Sequence, residues 1–316
     1  MGEGGRQGGG KVEEKEEAHF DGGHFTHAEA LRPYKLLLSG AVAGVVSRTS
    51  TAPIDRLRML FQVHESRSRM TIMQGVRKMA AEGTIKSFFR GNGANCLKIA
   101  PETALKFAIN DRIKRFVCNG GDTSKMGYFE RLLSGGISGG IAQGSIYPLE
   151  MIRTRLGVAP VGTYVGITDC ARQVYTKEGV RALYRGLAPS MSGIIPYAGT
   201  DIATFEIVKQ KMVEYYGGEP PGYVLIGTGM FASSVAQLVS YPFALVRTRL
   251  QAQGMGGETN KYNGMIDVVV KTVRREGMTG LYKGIVPNLL KLAPAAGISW
   301  YTFEKTKIAL GIDIRS

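Results

Sequence analysis

The chain has 316 residues, 3 cysteines and a formal charge of +14. Cysteines this few, with no CxxC pair and no metal-ligand spacing, argue against a disulfide-stabilised secreted domain. The charge is uneven, since residues 1–31 carry a net −4 and the remainder a net +18. A basic body indicates an anionic partner such as nucleic acid, phospholipid or a small anion.

The first 29 residues are predicted to form a disordered tail. Six of the first ten are glycine, and the residues that follow are mostly charged or histidine, so they cannot bury an apolar core. The tail has no apolar segment for a secretory signal, and its acidic residues argue against a cleaved transit peptide. It also lacks the alternating oxygen ligands of an EF-hand loop.

The rest of the chain consists of three related units. Pro53, Pro148 and Pro242 are 95 and 94 residues apart. Matched motifs follow each proline: Glu82-Gly83 and FFRG at 88–91, Glu178-Gly179 and LYRG at 183–186, Glu276-Gly277 and LYKG at 281–284. A period of nearly 100 residues is a whole structural module. The predicted repeats span residues 30–125, 126–218 and 219–316.

Each repeat contains two segments long enough to cross a bilayer, which takes about 20 mostly apolar residues. One segment precedes the proline, as in 33–52, and one follows the basic-glycine pair, as in 188–204. The predicted fold class is therefore an all-α membrane protein, with six transmembrane helices in a pseudo-threefold bundle of three two-helix repeats. Mean hydropathy is only −0.05, so a soluble helical protein is the alternative.

Small residues in these segments favour the membrane interpretation. Gly40 and Gly44, and likewise Gly135 and Gly139, are four residues apart. This spacing is typical of helices that approach closely in lipid. In a soluble helix such glycines would mostly cost stability.

The three prolines predict kinks, because proline in a helix interior removes a hydrogen bond. Three kinked helices around one axis would bring together the charges that follow the prolines, and charges at that depth need partners. The expected ion pairs are Asp55 with Arg153 and Glu150 with Arg247. Ala244 stands where a third acid would be, so Arg58 lacks that partner. Such a ring could close a pore reversibly.

A second ring of charge is predicted at the far end of the second helix of each repeat. Its members are Asp111 and Lys114, Glu206 and Lys209, and Glu304 and Lys307. A single acid–base pair three residues apart is ordinarily a surface pair within one helix. Recurrence in all three units favours a second gate.

The pattern resembles the mitochondrial carrier family over residues 33 to 310. The P-x-[DE]-x-x-[KR] signature carries the resemblance, together with the downstream EG and RG motifs. The resemblance implies a multi-pass protein of the inner membrane, with short amphipathic helices on the matrix side. It implies alternating access between a matrix gate after the prolines and a cytoplasmic gate at the second ring. The family's glutamine braces fall on Gln62 and Gln251, whereas Gly157 departs, which predicts a weaker closed matrix gate.

The predicted cavity between the rings is read from polar residues in the apolar segments. Two sets of polar positions recur every four residues, so each set shares a helix face. One set is Lys98, Glu102 and Lys106, and the other is Gly193, Tyr197 and Asp201. The candidate substrate-binding residues are Arg48, Lys98, Glu102, Gly193, Ile194, Tyr197, Asp201 and Lys291. Bases outnumber acids in these segments, which indicates an anionic, phosphorylated substrate.

The resemblance extends to the adenine-nucleotide group of the family. The family's three substrate contact positions fall on Lys98, on Gly193-Ile194 and on Lys291. The stretches SRTSTAPIDRLRM and SGIIPYAGTDIATFE resemble those of ATP-Mg/phosphate carriers, here in a short form without the calcium-binding domain. The predicted function is antiport of adenine nucleotide, as ATP-Mg or ADP, for phosphate or another nucleotide.

Predictions about cofactors, partners and alternatives complete this interpretation. No cofactor is expected, although Mg²⁺ would travel with the nucleotide, its hydrated shell near Glu102 or Asp201. Expected partners are these substrates and membrane lipid such as cardiolipin, without nucleic acid, and the protein is expected to be a monomer. Coenzyme A or ADP/ATP transport is the alternative within the family, and nucleic-acid binding the alternative outside it. No nucleophile–base arrangement indicates an enzyme.

Overall fold

The computed structural model describes residues 27–66, 68, 70–83, 85–117, 128–255 and 261–312. Side chains are described for these residues except at 27–33, 106, 107, 114, 115, 117 and 128–133. The described part of the chain is helical and contains no strand, which confirms the predicted all-α class. Most of the predicted tail lies outside the described residues. Its last three residues are helical, because the first helix begins at His27.

Thirteen α-helices within the described residues follow the threefold order. The first repeat contains α1 (His27–Ser50), α2 (Ala52–Val63), α3 (Ile72–Ala81), α4 (Asn92–Leu97) and α5 (Ile99–Val117). The second contains α6 (Tyr128–Val158), α7 (Ile167–Glu178), α8 (Leu187–Ser192) and α9 (Ile194–Tyr216). The third contains α10 (Gly222–Ala252), α11 (Met265–Glu276), α12 (Ile285–Leu290) and α13 (Leu292–Ala309).

The three prolines sit differently in their helices. Pro148 and Pro242 lie inside the continuous helices α6 and α10. The corresponding helix of the first repeat is divided at Thr51, and Pro53 lies in the first turn of α2. A proline in the first turn loses no hydrogen bond, because the amide groups there have no partner within the helix.

A single residue interrupts the second long segment of each repeat. The three interruptions are Lys98 between α4 and α5, Gly193 between α8 and α9, and Lys291 between α12 and α13. Three residues further on stand Pro101, Pro196 and Pro294. Because proline cannot donate to the carbonyl four residues earlier, the hydrogen-bond ladder is broken at the last residue of each short helix. The three expected contact positions therefore lie at three breaks, which the sequence analysis did not predict.

The long helices form a closed ring. Helix α6 packs on α5 of the preceding repeat, α10 packs on α9, and α1 packs on α13. Beyond the prolines, α2 and the ends of α6 and α10 contact one another pairwise. The three repeats therefore meet around one axis where their charged residues follow the prolines.

The short helices α3, α7 and α11 are amphipathic, as predicted. Each packs its apolar side on the end of a long helix: Met79 contacts the cluster of Leu57 and Phe61, Val174 that of Ile152 and Leu156, and Val268 that of Val246 and Leu250. The exposed residues of these helices include Arg77, Arg172 and Arg274, alongside apolar side chains such as Met73 and Ile266.

Of the described helices, α10 alone is both long and apolar enough to cross a membrane by length and composition. Apolar side chains are nevertheless exposed along several others, including Leu37 and Leu38 on α1, Ile141 on α6, Ile195 on α9 and Trp300 on α13. Water-soluble proteins rarely expose such extended apolar surface.

The predicted role of the glycine pairs holds at one position only. A Cβ atom added at Gly44 would lie 3.4 Å from the side chain of Ile99, which is ordinary packing contact. Gly40, Gly135 and Gly139 have no described neighbour within 4 Å of that position. The spacing alone therefore did not predict which of these glycines has a close neighbour among the described residues.

Candidate substrate cavity and its ion-pair network

Two ion pairs join neighbouring repeats beyond the prolines. Nη2 of Arg153 lies 3.0 Å from Oδ2 of Asp55, and the guanidinium of Arg247 contacts the carboxylate of Glu150. Both carboxylates are almost completely buried. Both pairs that the spacing predicted are present, and each links one repeat to the next.

The same carboxylates also bind lysines that were predicted to line the cavity. Nζ of Lys291 lies 2.7 Å from Oδ1 of Asp55. Nζ of Lys98 lies 3.6 Å from Oε1 of Glu150 and 3.7 Å from Oε2 of Glu102. Asp55, Glu150, Arg153, Arg247, Lys98 and Lys291 are called the ion-pair network below. From their positions in the sequence these residues were expected in two separate groups, the matrix gate and the substrate-binding residues.

An open cavity of about 370 Å³ lies against this network. Its walls include Lys98, Glu102, Gln143, Glu150, Pro189, Ser190, Gly193, Ile194, Tyr197, Ser240, Phe243, Ala244 and Arg247. Five predicted substrate-binding residues are thus brought together. Three others lie outside this lining: Arg48 donates to Asn95 at 3.0 Å, Asp201 accepts from Ser233 at 3.0 Å, and Lys291 contacts Asp55.

The wall around Gly193 is closely packed. A Cβ atom there would lie 3.1 Å from the Cβ of Phe243 and 3.3 Å from the carbonyl oxygen of Pro189. Phe243, which the sequence analysis did not single out, therefore packs directly on Gly193. Together with Tyr197 it gives this wall an aromatic surface.

Two buried glutamines link neighbouring repeats by hydrogen bonds, at positions further from the prolines than the arginines of the ion-pair network. Gln62 donates to the Tyr241 hydroxyl at 3.1 Å and accepts from Thr248 at 2.8 Å. Gln251 repeats these contacts one interface away, donating to Tyr147 at 2.9 Å and accepting from Thr154 at 2.8 Å.

The third set of brace positions is apolar. Ala52, Met59 and Gly157 occupy the places of the tyrosine, threonine and glutamine. A Cβ atom at Gly157 would lie 2.5 Å from Cε of Met59, so the methionine fills the space that a glutamine would need. All three positions of this third brace are therefore occupied by residues that cannot form its hydrogen bonds.

The missing ion pair and the missing brace fall at different interfaces. Between the first and second repeats there is a proline-proximal arginine–carboxylate pair without a brace. Between the third and first repeats there is a brace without such an arginine–carboxylate pair, and Lys291 pairs there with Asp55 instead. The second and third repeats share both. Every interface among the described residues therefore keeps a polar link.

Comparison with known proteins agrees with this architecture. A family model described as "Mitochondrial carrier protein" matches residues 29–121, 124–216 and 219–313. The chain belongs to the mitochondrial carrier family. Membership indicates a carrier of the inner mitochondrial membrane rather than an enzyme, as the sequence predicted.

Several curated proteins are similar to this carrier. It is 46% identical over 283 residues to the "Mitochondrial adenyl nucleotide antiporter SLC25A24" of Homo sapiens, covering 88% of the chain and 59% of that protein. It is also 46% identical over 286 residues to the "Mitochondrial adenyl nucleotide antiporter SLC25A25" of Mus musculus, covering 89% and 60%. A third, "Calcium-binding mitochondrial carrier protein SCaMC-2-B" of Danio rerio, is 46% identical over 288 residues, covering 89% and 60%. The carrier spans about three fifths of the length of these relatives.

The EG motifs of the carrier hold buried arginines that the sequence analysis missed. Arg56, Arg155 and Arg249 are almost fully buried, and each forms an ion pair with a motif glutamate, Glu82, Glu178 or Glu276 respectively. Each also donates to a carbonyl of the next repeat: Gly157 at 3.0 Å, Gln251 at 3.1 Å and Gln62 at 2.9 Å.

One of these arginines comes from a shifted position. Arg155 and Arg249 lie seven residues after their prolines, whereas Arg56 lies three after Pro53, and Leu60 occupies the aligned position. Residues four apart lie on the same helix face, so Arg56 can make the same contacts from one turn earlier. Alignment of the repeats alone hides this equivalence.

Among the described residues, the second predicted ring of charge contains no ion pair between different repeats. Nζ of Lys307 lies 3.3 Å from Glu304, three residues earlier on its own helix. The described contacts include no ion pair of Asp111, Glu206 or Lys209, and the side chain of Lys114 lies outside the description. The described carrier thus has its ion-pair network formed at one end, with no inter-repeat pair described at the other.

Proposed function

We propose that this chain is an alternating-access antiporter that exchanges ATP-Mg or ADP for phosphate or another nucleotide. The observation that carries the proposal is that Lys98 and Lys291 are bound to the same carboxylates that join the repeats. Relatives named adenyl nucleotide antiporters support the choice of substrate class.

The shared lysines supply a way for substrate to open the ring. Substrate phosphates would form charge-assisted hydrogen bonds with Lys98 and Lys291 and so compete with Glu150 and Asp55. A network that loses its lysines holds the repeats together less strongly. Substrate binding would thereby favour the state in which the matrix gate is open, which is the differential affinity that transport requires. The second ring would then serve as the cytoplasmic gate.

The cavity wall suits the remainder of the nucleotide. An adenine ring can lie on the flat surface of Gly193 and Ile194, next to the aromatic rings of Tyr197 and Phe243. Mg²⁺ is proposed as cargo bound to the nucleotide. Glu102 lies in the same cavity, where its carboxylate can accept hydrogen bonds from the hydrated ion.

Six membrane-spanning segments are proposed, two in each of the repeats 30–125, 126–218 and 219–316. The exposed apolar faces of α1, α6, α9, α10 and α13 support this arrangement. Lipid is a proposed partner, and a largely apolar cavity of about 470 Å³, lined by Phe61, Met70, Ile72, Tyr282 and Val286 among others, could hold an acyl chain. A monomer is proposed because the ring of helices closes within one chain.

Exchange assays in proteoliposomes test the proposal. Vesicles loaded with phosphate or ADP should take up radiolabelled ATP with Mg²⁺, and empty vesicles should not. Lys291→Ala should abolish uptake, whereas Lys271→Ala, at an exposed pair on α11, should leave it intact. Full activity of Lys291→Ala would refute the placement of the site. Uptake of coenzyme A alone would replace the nucleotide assignment, and no exchange of any of these compounds would refute transport.

A further inference from the structure

Each repeat has an arginine five residues after its proline, and Arg58 is the one of these three arginines that lacks an acidic partner in the neighbouring repeat. Asp55 pairs with Arg153 and Glu150 with Arg247, so the same relationship would pair Arg58 with residue 244, which is alanine. Among the described residues Arg58 forms no ion pair, and its buried Nε has no hydrogen-bond partner. Asp55, three residues before it, is already held by Arg153 and Lys291.

The position of the missing acid faces the substrate cavity. Ala244 lines that cavity next to Glu150, Lys98 and Arg247. Arg58 lies near the same stretch of α10, because its guanidinium interacts electrostatically with the hydroxyl of Tyr241, one turn before Ala244. The methyl group of Ala244 leaves both a space and an unbalanced positive charge at this side of the cavity.

We propose that Arg58 is a phosphate-binding residue, and that a substrate phosphate takes the place of the carboxylate that Ala244 lacks. The proposal rests on the proposed function and adds a third cation to the site formed by Lys98 and Lys291. A guanidinium can donate two parallel hydrogen bonds to a phosphate, which makes it suited to this role. Inorganic phosphate, which has no adenine to bind the aromatic wall, would depend on Arg58 most.

The competing interpretation is that Arg58 only fixes the Tyr241 hydroxyl. In that case an acid at position 244 would join the third and first repeats without altering recognition of the substrate. The two roles differ in the affinity for phosphate, which is the quantity to measure.

The experiment compares Ala244→Glu with Ala244→Gln, since the two new side chains share size and differ in charge. The Michaelis constant KM for inorganic phosphate and for ATP-Mg is measured in proteoliposomes. The glutamate variant should have a KM about tenfold or more above that of the glutamine variant, because its carboxylate occupies Arg58. Equal KM values in the two variants, with a wild-type protein that transports both substrates, would overturn the role of Arg58 and leave the proposed function standing.

A binding measurement keeps the proposal testable if the protein does not transport phosphate. Inorganic phosphate should raise the melting temperature Tm of the purified wild-type and Ala244→Gln proteins and should raise that of Ala244→Glu much less. If Ala244→Glu does not fold, Arg58→Lys takes its place, and it should weaken the shift because it keeps the charge and loses the paired donors. Equal phosphate-induced shifts in the tested variant and the wild type would contradict the proposal.

Discussion

Nζ of Lys291 lies 2.7 Å from Oδ1 of Asp55, while Nη2 of Arg153 lies 3.0 Å from Oδ2 of the same carboxylate. One buried acid therefore neutralises two cations from two different repeats. A substrate anion that binds the lysine would act on the same carboxylate that joins the first and second repeats.

Replacing this acid should destabilise the ligand-free protein. Asp55→Asn leaves Arg153 and Lys291 without their shared anion, and because both side chains are partly exposed the cost should be limited to roughly 1–3 kcal/mol. Thermal unfolding in detergent measures the effect as a lower Tm. Asp267→Asn is the control, because its pair with Lys271 lies on the protein surface and should contribute little. Equal losses in the two variants would contradict a special role for Asp55.

The apolar replacement of the third brace predicts strong coupling between two positions. Gly157→Gln alone should destabilise by about 1–3 kcal/mol, because the new side chain overlaps Met59. Combining it with Met59→Thr should recover much of that loss, since threonine is smaller and can donate to the glutamine. A double-mutant cycle of unfolding free energies should give a favourable coupling of about 1 kcal/mol or more. Additive effects would show that the two positions are independent.

Replacing Gly186, the glycine of the second repeat's RG motif, by alanine should destabilise the protein more than the same change at a glycine of similar backbone conformation. Gly186 has φ +87°, and a Cβ atom there would lie 2.8 Å from the Tyr147 hydroxyl and 3.0 Å from the carbonyl oxygen of Arg247. Gly162 has a nearly identical φ of +86° with nothing within 4 Å. Gly162→Ala should therefore cost about 1 kcal/mol for its backbone conformation.

Gly186→Ala should cost more, because contact with Tyr147 and the backbone is added to the same conformational penalty. Its Tm in detergent should fall well below that of Gly162→Ala. If the two variants unfold at the same temperature, the close approach at Gly186 is not a constraint.

Because the glutamates of the EG motifs pair with buried arginines, replacing one of these glutamates should lower the stability of the protein strongly. Glu276→Gln removes the charge partner of Arg249, which is 1% exposed as a side chain, and should destabilise by about 3–5 kcal/mol. Glu304→Gln removes a more exposed acid, whose side chain is 26% exposed, from a pair within one helix and should have a small effect. Unfolding followed by circular dichroism compares the two. A small loss at Glu276 would mean that Arg249 is held mainly by the Gln62 carbonyl and the Thr272 hydroxyl.

The contacts that could be predicted from sequence are those between residues that stand at the same offset from the proline in each repeat. Asp55 and Arg153 stand at fixed offsets from two prolines, so threefold symmetry alone brings them together. The contact of Lys291 with Asp55 depends on the relative height of two different helices, which spacing does not encode. The interruptions at Lys98 and Lys291 had a readable signal in Pro101 and Pro294, which follow them by three residues.

Other features escaped because one pattern has more than one physical meaning. Arg56 is displaced by one helical turn from Arg155 and Arg249. An alignment of the repeats therefore places Leu60 at the equivalent position and suggests that the first repeat lacks the buried arginine. The glycines at 135 and 139 have the spacing of a close helix contact but have no neighbour within 4 Å among the described residues. Sequence spacing identifies which residues share a face, and the neighbours of that face must come from the three-dimensional arrangement.

The uneven distribution of links around the axis makes ionic strength a selective perturbation of this molecule. Dissolved ions weaken attraction between charges that border water and leave hydrogen bonds between neutral side chains largely unchanged. High salt would therefore loosen the first repeat from the second, where Asp55 and Arg153 have no neutral brace beside them. The third and first repeats would lose part of the attraction between Lys291 and Asp55 but would keep their neutral hydrogen bonds through Gln62, Tyr241 and Thr248.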